Sequence, residues 1–389
     1  MITLKFGGTS VENHDKISKV ANFVFERLEY HKKIVVVVSA MGRTTNQLTE
    51  EIYTLSKNPP KREIDQLLST GETKSAALLA TALCELGARA ISLTGWQAGV
   101  FTDKTFGGAF IEDIEESVFM RYFEKYDVLV VTGFQGVTLQ GDVTTLGKGG
   151  SDTSAVAIAS SLGCACEIYT DVEGVFTADP KVIPSAKKLD GISFADMMEA
   201  SASGAKVMET RSIEIASKYN TKLYVGKSLE IKKEGTMVGV ETINFESMPI
   251  KNLVVQDKNC LLEINLKKGQ TLSKVFEILS TAGQKVQGAM VQEKNYFSCI
   301  IEEKNKKNIE KSLKNAKINY SFKNYGTKMT LVGSGFQTHL LALRNIFTAL
   351  EDKGIKPKSL SISETAVVVL IEEKHAKTAA EVLSQKLGL

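Results

Sequence analysis

The stretch Lys5-Phe6-Gly7-Gly8-Thr9-Ser10 follows a short apolar run at the start of the chain, and the fold assignment depends on it. Two further glycine-bearing segments, residues 145–152 and 170–174, also stand where a strand-like run gives way to small or polar residues. Glycine at such a position lets backbone N–H groups approach phosphate oxygens. One Gly-Gly-Thr alone is more often an ordinary strand-to-helix turn. Three such turns, with a lysine just before the first, predict one nucleotide site.

Composition and charge narrow the classes of protein and partner. The chain has 389 residues, 43% hydrophobic and 24% charged, which is ordinary for a globular protein of roughly two to four domains. The net charge is +3 and the two signs are interleaved, so neither nucleic acid nor a membrane is expected as a partner. The N-terminus predicts a strand rather than a signal peptide, and no apolar run approaches the length of a membrane span. We therefore expect a cytoplasmic protein.

Cysteine and histidine usage argues against metal and histidine chemistry. The five cysteines match neither a zinc-site spacing nor a disulfide framework and are typical of small core residues. The four histidines lie outside the glycine segments, and only His14 is near one. We expect no metal site built from side chains, and a reaction that depends on positioning and charge.

Periodicity in residues 1–235 predicts an α/β fold. Short β-branched runs alternate with segments of helical period, which is typical of a mostly parallel sheet covered on both faces. Ligands of such sheets bind beyond the carboxyl ends of the strands, where all three glycine segments fall. The predicted strands are residues 34–39, 90–93, 128–132 and 167–170, and the predicted helices are residues 15–30, 72–86 and 152–162.

The chain changes character after Gly226, and a β-α-β-β-α-β pattern then occurs twice. The copy in residues 260–323 is complete, whereas the copy in residues 328–387 lacks its last strand. We infer that a surplus strand, residues 251–256, completes the second sheet and interlocks the two modules; alternatively it only lengthens a linker. The predicted parts are a first domain of residues 1–235, a linker of residues 236–249, a module of residues 257–324, and a module of residues 250–256 plus 325–389.

Seven segments, in the order in which they occur, together resemble aspartokinase, and the similarity runs in register over essentially the whole chain. The resemblance implies the amino-acid kinase fold, an αβα sandwich around a mostly parallel sheet, followed by two interlocked ACT-type domains. It also implies transfer of the γ-phosphoryl group of ATP, with Mg²⁺, to the side-chain carboxylate of L-aspartate. That reaction is the first step towards lysine, threonine, methionine and diaminopimelate. The segments are residues 5–10, 39–46, 69–72, 133–136, 147–152, 170–180 and 204–207.

The glycine segments suit phosphoryl transfer to a carboxylate. A carboxylate is ionised at neutral pH, so the reaction needs two anions brought into line and their repulsion screened, rather than a strong base. Lys5 is predicted to screen the β- and γ-phosphates, with Gly7 and Gly8 as backbone donors. The helix predicted from Asp152 presents its positive N-terminal end to an anion.

Other ligand contacts are carried over by resemblance. Lys148, Ser151 and Thr45 contact the amino-acid substrate, and Glu72 attracts its α-ammonium group. Considered alone, Glu72 would be a first-turn acid at a helix start. Asp152 either helps to organise Mg²⁺ or only caps its helix. The ATP-contacting positions of the family are occupied by Thr170, Asp171, Phe176, Lys181, Lys206 and Val207.

Three features depart from the family pattern. Lys148 stands where arginine is usual, so the point charge of an ammonium group replaces a planar guanidinium group that can bind a carboxylate through two hydrogen bonds. Glu209-Thr210 stand where His-Pro is common, and neither module has the Pro-Gly that often opens the first ACT helix. Besides a working aspartokinase, two alternatives stay open: a kinase for a related carboxylate, and a weakened paralogue that senses an amino acid for a partner.

Tandem ACT-like modules expose sheet edges that a second chain commonly completes, so at least a homodimer is expected, with effector sites between modules. By resemblance the effector is lysine or threonine; alternatively, the missing Pro-Gly openings indicate a weakly regulated enzyme. The candidate effector contacts are Met290, Gln292, Ser361, Ser363 and Glu364.

Overall fold

The computed structural model describes residues 1–228, 234–240, 250–292 and 295–389, with the backbone alone at residues 287 and 289–292. The chain divides into two compact units. The first comprises Met1–Val175, Leu189–Phe194 and Lys206–Thr242, and the second comprises Phe176–Lys188, Ala195–Ala205 and Ile243–Leu389. The predicted domain bounds stay predictions, and residues 241–249 of the predicted linker lie outside the described residues.

The elements up to residue 240 follow a largely alternating order. They are β1 (Ile2–Phe6), α1 (His14–Arg27), β2 (Ile34–Val38), α2 (Thr44–Leu55), α3 (Lys61–Glu85), β3 (Ala90–Leu93), β4 (Val100–Thr102), β5 (Ile111–Ile114), α4 (Glu116–Phe123), β6 (Val128–Thr132), β7 (Gln135–Val137), β8 (Val143–Thr145), α5 (Gly150–Ser161), β9 (Ala165–Thr170), β10 (Gly191–Ile192), α6 (Phe194–Ser203), α7 (Thr210–Tyr219), β11 (Leu223–Lys227) and β12 (Thr236–Val238).

The first unit is built on one large sheet and one small sheet. The large sheet has the order β10-β12-β11-β9-β1-β2-β6-β3, and its strands pair in parallel except for β11 with β12. The small sheet has the order β5-β4-β7-β8. The predicted mostly parallel α/β fold is thus confirmed.

Alternation along β1 decides what each face of the large sheet carries. Leu4 and Phe6 point to one face and share a core with Val20 of α1 and Leu79 of α3. Lys5 points to the opposite face, where it meets the first turn of α5. The strand therefore supplies the core on one side and a charged group to the site on the other.

Helix α3 corrects the predicted helix start at Glu72, because the helix begins at Lys61 and contains Gly71 in its interior. Glycine is unfavourable inside a helix. Here its missing side chain allows close packing, since a Cβ at Gly71 would lie 2.9 Å from the Cβ of Ala40, just after β2. Glu72 therefore lies in mid-helix, and its alternative role as a first-turn acid is wrong.

The second unit contains the repeated pattern as one sheet of order β14-β15-β13-β16-β18-β17. Its elements are β13 (Ile250–Asn265), α8 (Leu272–Thr281), β14 (Gln287–Gln292), β15 (Tyr296–Glu302), α9 (Glu303–Asn315), β16 (Asn319–Gly333), α10 (Leu340–Glu351), β17 (Ser359–Ile362), β18 (Ala366–Ile371), a 3-10 turn (Glu373–His375) and α11 (Ala376–Leu387).

The inferred interlocking of the two modules is confirmed. The segment before Asp257 pairs with β16 from Lys328 to Gly333, inside the second module. The predicted break before Cys260 is absent, because β13 continues through an irregularity at Gln256 to Asn259 and serves both modules. The alternative, that this segment only lengthens a linker, is wrong.

Among the residues that the structure describes, no helix is both long and apolar enough to cross a membrane.

The packing at Gly71 can be tested with Gly71→Ala. Helix propensity alone predicts a gain of about 1 kcal/mol. We expect instead a loss of about 1–3 kcal/mol in the free energy of unfolding and a lower Tm, because the added methyl group overpacks the contact with Ala40. Thr70→Ala, at the exposed neighbouring position, is the control and should change stability by less than about 0.5 kcal/mol. A more stable Gly71→Ala protein would contradict the close approach.

Candidate functional site

A cavity of about 310 Å³ opens in the first unit at the carboxyl ends of β1, β2 and β6. This is the edge at which ligands of parallel sheets bind. It gathers seven of the predicted site residues, from four separate stretches of sequence: Lys5, Gly8, Thr45, Glu72, Lys148, Ser151 and Asp152. The remaining lining residues belong to the segments that carry the resemblance but were given no individual ligand contact: Ser39, Ala40, Gly42, Phe134, Gly147, Gly149 and Gly150.

A buried ion pair joins the strand and the helix that form the floor of the cavity. The Nζ atom of Lys5 lies 2.6 Å from Oδ1 of Asp152, and the two side chains are only 10% and 13% exposed. Asp152 is in the first turn of α5, whose N-cap is Gly149, so its carboxylate pairs with Lys5 instead of capping the helix. The ion pair fixes a lysine at the positive end of a buried helix.

Gly8 lines the same cavity as this lysine and packs closely against the backbone that follows β2. A Cβ at Gly8 would lie 2.7 Å from the carbonyl oxygen of Ala40, so only glycine fits there. The neighbouring Gly7 already donates its N–H to the carbonyl of Tyr169, at 3.3 Å. The missing side chain of Gly8 therefore lets the turn after β1 pack against the backbone that follows β2. Since the Gly7 N–H is used within the protein, it is not free to bind phosphate as predicted, and the donor role of Gly8 stays a prediction.

Glu72 is a buried carboxylate with one oxygen unused. Its Oε1 accepts a hydrogen bond from the Ala40 N–H at 2.9 Å. Its Oε2 has no hydrogen-bond partner among the described residues, although Glu72 is only 3% exposed. Burial raises the pKa of Glu72 to about 7, against the opposing effect of the Ala40 hydrogen bond. The site thus holds an acceptor that a cationic group of a ligand can satisfy.

Two other substrate candidates lie on the rim. Thr45 is half-buried in the first turn of α2. Lys148 is exposed between Gly147 and Gly149, in the loop that leads into α5. Cationic and hydroxyl groups therefore face the cavity from the loop and from α2, while the carboxylate of Glu72 reaches it from α3.

The predicted nucleotide residues are only partly brought together. In the parallel pairing of β1 with β9, Phe6 lies opposite Tyr169. Gly7 and Gly8 come directly after Phe6, and Thr170 and Asp171 come directly after Tyr169, so the two pairs follow the same end of neighbouring strands. Thr170 donates its hydroxyl to Oδ1 of Asp171, at 3.1 Å. Lys206 and Val207 belong to the same unit, whereas Phe176 and Lys181 belong to the second unit.

Within the described part of the chain, no three His, Cys, Asp or Glu side chains cluster closely enough to hold a metal ion. Mg²⁺ is commonly bound by one or two carboxylates together with substrate phosphates and water. Two carboxylates line the cavity, Glu72 and Asp152, and Asp152 is the one beside Lys5. One carboxylate at this position fits a Mg²⁺ ion that arrives bound to phosphate.

The candidate effector residues lie in the second unit. Ser361 is on β17, and its Cβ lies 3.9 Å from the position of a Cβ at Gly288 on β14. Ser363 and Glu364 are exposed just after β17, and the Ser363 hydroxyl bonds to the backbone of Ala366. Met290 and Gln292 are on β14, but their side chains lie outside the described part of the structure.

Sequence reasoning missed Asp65, which is fully buried on α3 and accepts hydrogen bonds from the strand that leads to Lys148. Its signal was available: a carboxylate seven residues before Glu72 lies on the same helical face. The predicted helix start at Glu72 concealed it.

Comparisons with known proteins agree with this geometry. Residues 1–227 match the model of the amino acid kinase family, and residues 329–387 match an ACT domain. The aspartokinase of Geobacillus stearothermophilus is 39% identical over 399 residues, which covers 100% of this chain and 97% of that protein.

Solved structures show the same fold. E. coli aspartokinase III, in complex with aspartate and ADP, superposes with a TM-score of 0.81 at 22% identity, covering all of both chains. The same enzyme in complex with lysine and aspartate gives a TM-score of 0.77, also at 22% identity, and covers 100% of this chain and 99% of that one. With the family match and the full-length relative, the chain belongs to the aspartokinases of the amino acid kinase family.

Proposed function

We propose that this aspartate kinase transfers the γ-phosphoryl group of ATP to the side-chain carboxylate of L-aspartate in the cavity beside α5. One observation carries the proposal. The Lys5 and Asp152 ion pair and the unused oxygen of Glu72 lie in one cavity, so it holds both a phosphate-binding cation and an acceptor for an ammonium group. The product is 4-phospho-L-aspartate.

Positioning and charge supply the catalysis. The aspartate carboxylate is already a nucleophile, so the protein has to hold it in line with the γ-phosphorus. Lys5 and the N-terminus of α5 stabilise the negative charge on the transferring group. Lys148, Ser151 and Thr45 bind the carboxylates of the substrate, and Glu72 accepts hydrogen bonds from its α-ammonium group through Oε2. The nucleotide is contacted by Gly8, Thr170, Asp171, Phe176, Lys181, Lys206 and Val207.

Asp152 is the residue that would hold Mg²⁺. When bound, Mg²⁺ would neutralise negative charge on the phosphate groups. Asp152 also orients Lys5, since the two side chains are buried and in direct contact at the floor of the cavity.

Regulation and assembly are proposed from the strands of the second unit and from a related solved structure. The approach of β17 to β14 supports an effector site that includes Ser361, Ser363 and Glu364, with Met290 and Gln292 as candidates on β14. E. coli aspartokinase III has been solved in complex with lysine and aspartate, which supports lysine as the effector, with threonine as the alternative. We propose a homodimer and a place at the start of lysine, threonine, methionine and diaminopimelate synthesis. The cytoplasmic location stays a prediction.

The activity is tested by incubating the protein with ATP, Mg²⁺ and single carboxylic amino acids, and trapping the acyl phosphate as its hydroxamate. We expect a signal with aspartate, and a loss of about 10²-fold or more in kcat for Lys5→Ala, because a charge at the transferring group is removed. Lys19→Ala, at an exposed position on α1, is the control and should retain full activity.

Each other outcome has a definite meaning. Near wild-type kcat in Lys5→Ala would remove Lys5 from the mechanism. If a different carboxylic amino acid gives the signal and aspartate does not, that compound is the substrate instead of aspartate. No acyl phosphate from any of them would favour the amino-acid-sensing paralogue.

Aspartate binding should depend on pH through Glu72. Its raised pKa, about 7, means that the ligand-free protein carries a proton there at pH 6, and an ammonium group binds only after that proton leaves. Affinity should therefore increase about tenfold from pH 6 to pH 8 and level off above pH 7. Calorimetry at pH 6 in buffers of different ionisation heat should show about one proton released per aspartate.

Glu72→Gln is the matched variant for this test. It should bind aspartate weakly and with no dependence on pH between 6 and 8. A wild-type affinity that is constant over this range would show that Glu72 does not face the ammonium group.

Effector binding is tested by titrating lysine and threonine calorimetrically, with and without aspartate and a non-hydrolysable ATP analogue. Linkage requires that an inhibitory effector and aspartate weaken each other's binding by the same factor. We expect heat from one of the two amino acids and a reciprocal loss of affinity of about 5- to 150-fold. Absence of heat from both would leave the ACT pair as a structural element.

A further inference from the structure

Asp65 anchors the loop that carries Lys148 and Ser151. It is fully buried on α3. Its Oδ2 accepts hydrogen bonds from the N–H groups of Thr145, at 2.8 Å, and Gly107, at 2.9 Å, and its Oδ1 accepts the Thr145 hydroxyl at 2.8 Å. These three donors belong to Thr145, the last residue of β8, and to Gly107, in the loop between β4 and β5. The buried carboxylate of Asp65 therefore accepts three hydrogen bonds that together stabilise the position of this strand end.

The same strand end is held from α7. Arg211 donates from Nη1 to the carbonyl of Leu146, at 3.2 Å, and from Nη2 to the carbonyl of Ala109, at 2.7 Å. The N–H of Ala109 in turn bonds to the carbonyl of Thr145, at 2.9 Å. The loop that carries Lys148 therefore starts at a strand end that is hydrogen-bonded both to Asp65 of α3 and to Arg211 of α7.

Helix geometry connects this anchor to Glu72. Asp65 and Glu72 are seven residues apart on α3, so they lie on one face, about 10 Å apart along the axis. Between them the Ser69 carbonyl accepts the amide of Gln135, at 2.9 Å, which ties α3 to β7 beside β8. One rigid helix therefore carries both the anchor of the loop and the carboxylate across the cavity from it.

We infer that Asp65 is a positioning residue that sets the distance between the loop bearing Lys148 and Ser151 and the Glu72 carboxylate, and thereby matches the cavity to the length of a four-carbon amino dicarboxylate. The inference rests on the proposed function, since it takes the loop to bind the carboxylates and Glu72 the ammonium group.

The test compares Asp65→Ala with Asp65→Asn in the full-length protein. Asparagine can still accept the two N–H groups and can donate to the Thr145 hydroxyl, so it can preserve the geometry without the charge. Asp65→Ala should raise the aspartate KM by about 10- to 100-fold, as expected for a misplaced binding group. The ATP KM should change by less than about threefold, and the preference for aspartate over glutamate should fall. Asp65→Asn should restore both properties towards wild type.

A second pair of variants covers the case in which Asp65→Ala does not fold. Thr145→Val removes one hydrogen bond to Asp65, whereas Thr144→Val removes a buried hydroxyl of the same strand that bonds to Thr102 instead. Only Thr145→Val should raise the aspartate KM and reduce the preference over glutamate.

Equal effects of the two threonine variants, or proportional changes in the aspartate and ATP KM values, would overturn the inference while the proposed function stands. A wild-type protein that yields no aspartyl hydroxamate would overturn the proposed function, and the inference with it.

Discussion

The ion pair between Lys5 and Asp152 is the contact on which the site depends. Two charges withdrawn from water are costly unless they are paired closely, and here they are 2.6 Å apart. The pair forms because β1 is central in the sheet and α5 crosses its opposite face, so that the odd-numbered Lys5 meets the first turn of α5. Loss of either partner would leave a buried charge at the point where phosphate is proposed to bind.

Glu72 shows the complementary arrangement, a buried carboxyl group whose Oε2 has no hydrogen-bond partner among the described residues. Its burial favours the protonated form and raises its pKa to about 7, close to neutral pH. A substrate ammonium group would satisfy Oε2 and restore the ionised form. In the proposed role, Glu72 would select for a cationic group, because a ligand without one leaves the acceptor unpaired.

The second unit is held together by two strands that serve both modules. β13 and β16 each pass from one module into the other, and separate helical cores lie against the two ends of the sheet. A third apolar cluster, in which Leu261 and Ile300 meet Val368 and Leu370, joins the modules directly. Strands and an apolar cluster are therefore shared between the two modules.

The sequence by itself determined the class of fold, and its resemblance to aspartokinases predicted Thr45, Glu72, Lys148 and Ser151, which line the cavity with Lys5. Apolar runs that end in glycine segments predicted the parallel sheet and the edge at which Lys5, Gly8 and Ser151 meet. A repeated β-α-β-β-α-β pattern with one surplus strand predicted the interlocked modules, because a strand without a partner must complete another sheet. These features follow from local patterns of polarity and from glycine, both of which are written in the sequence. Only the tertiary structure decided the start of α3, the burial of Glu72 and the hydrogen-bond partners of Asp65. The burial and partners of a side chain are set by long-range packing, which local sequence does not contain.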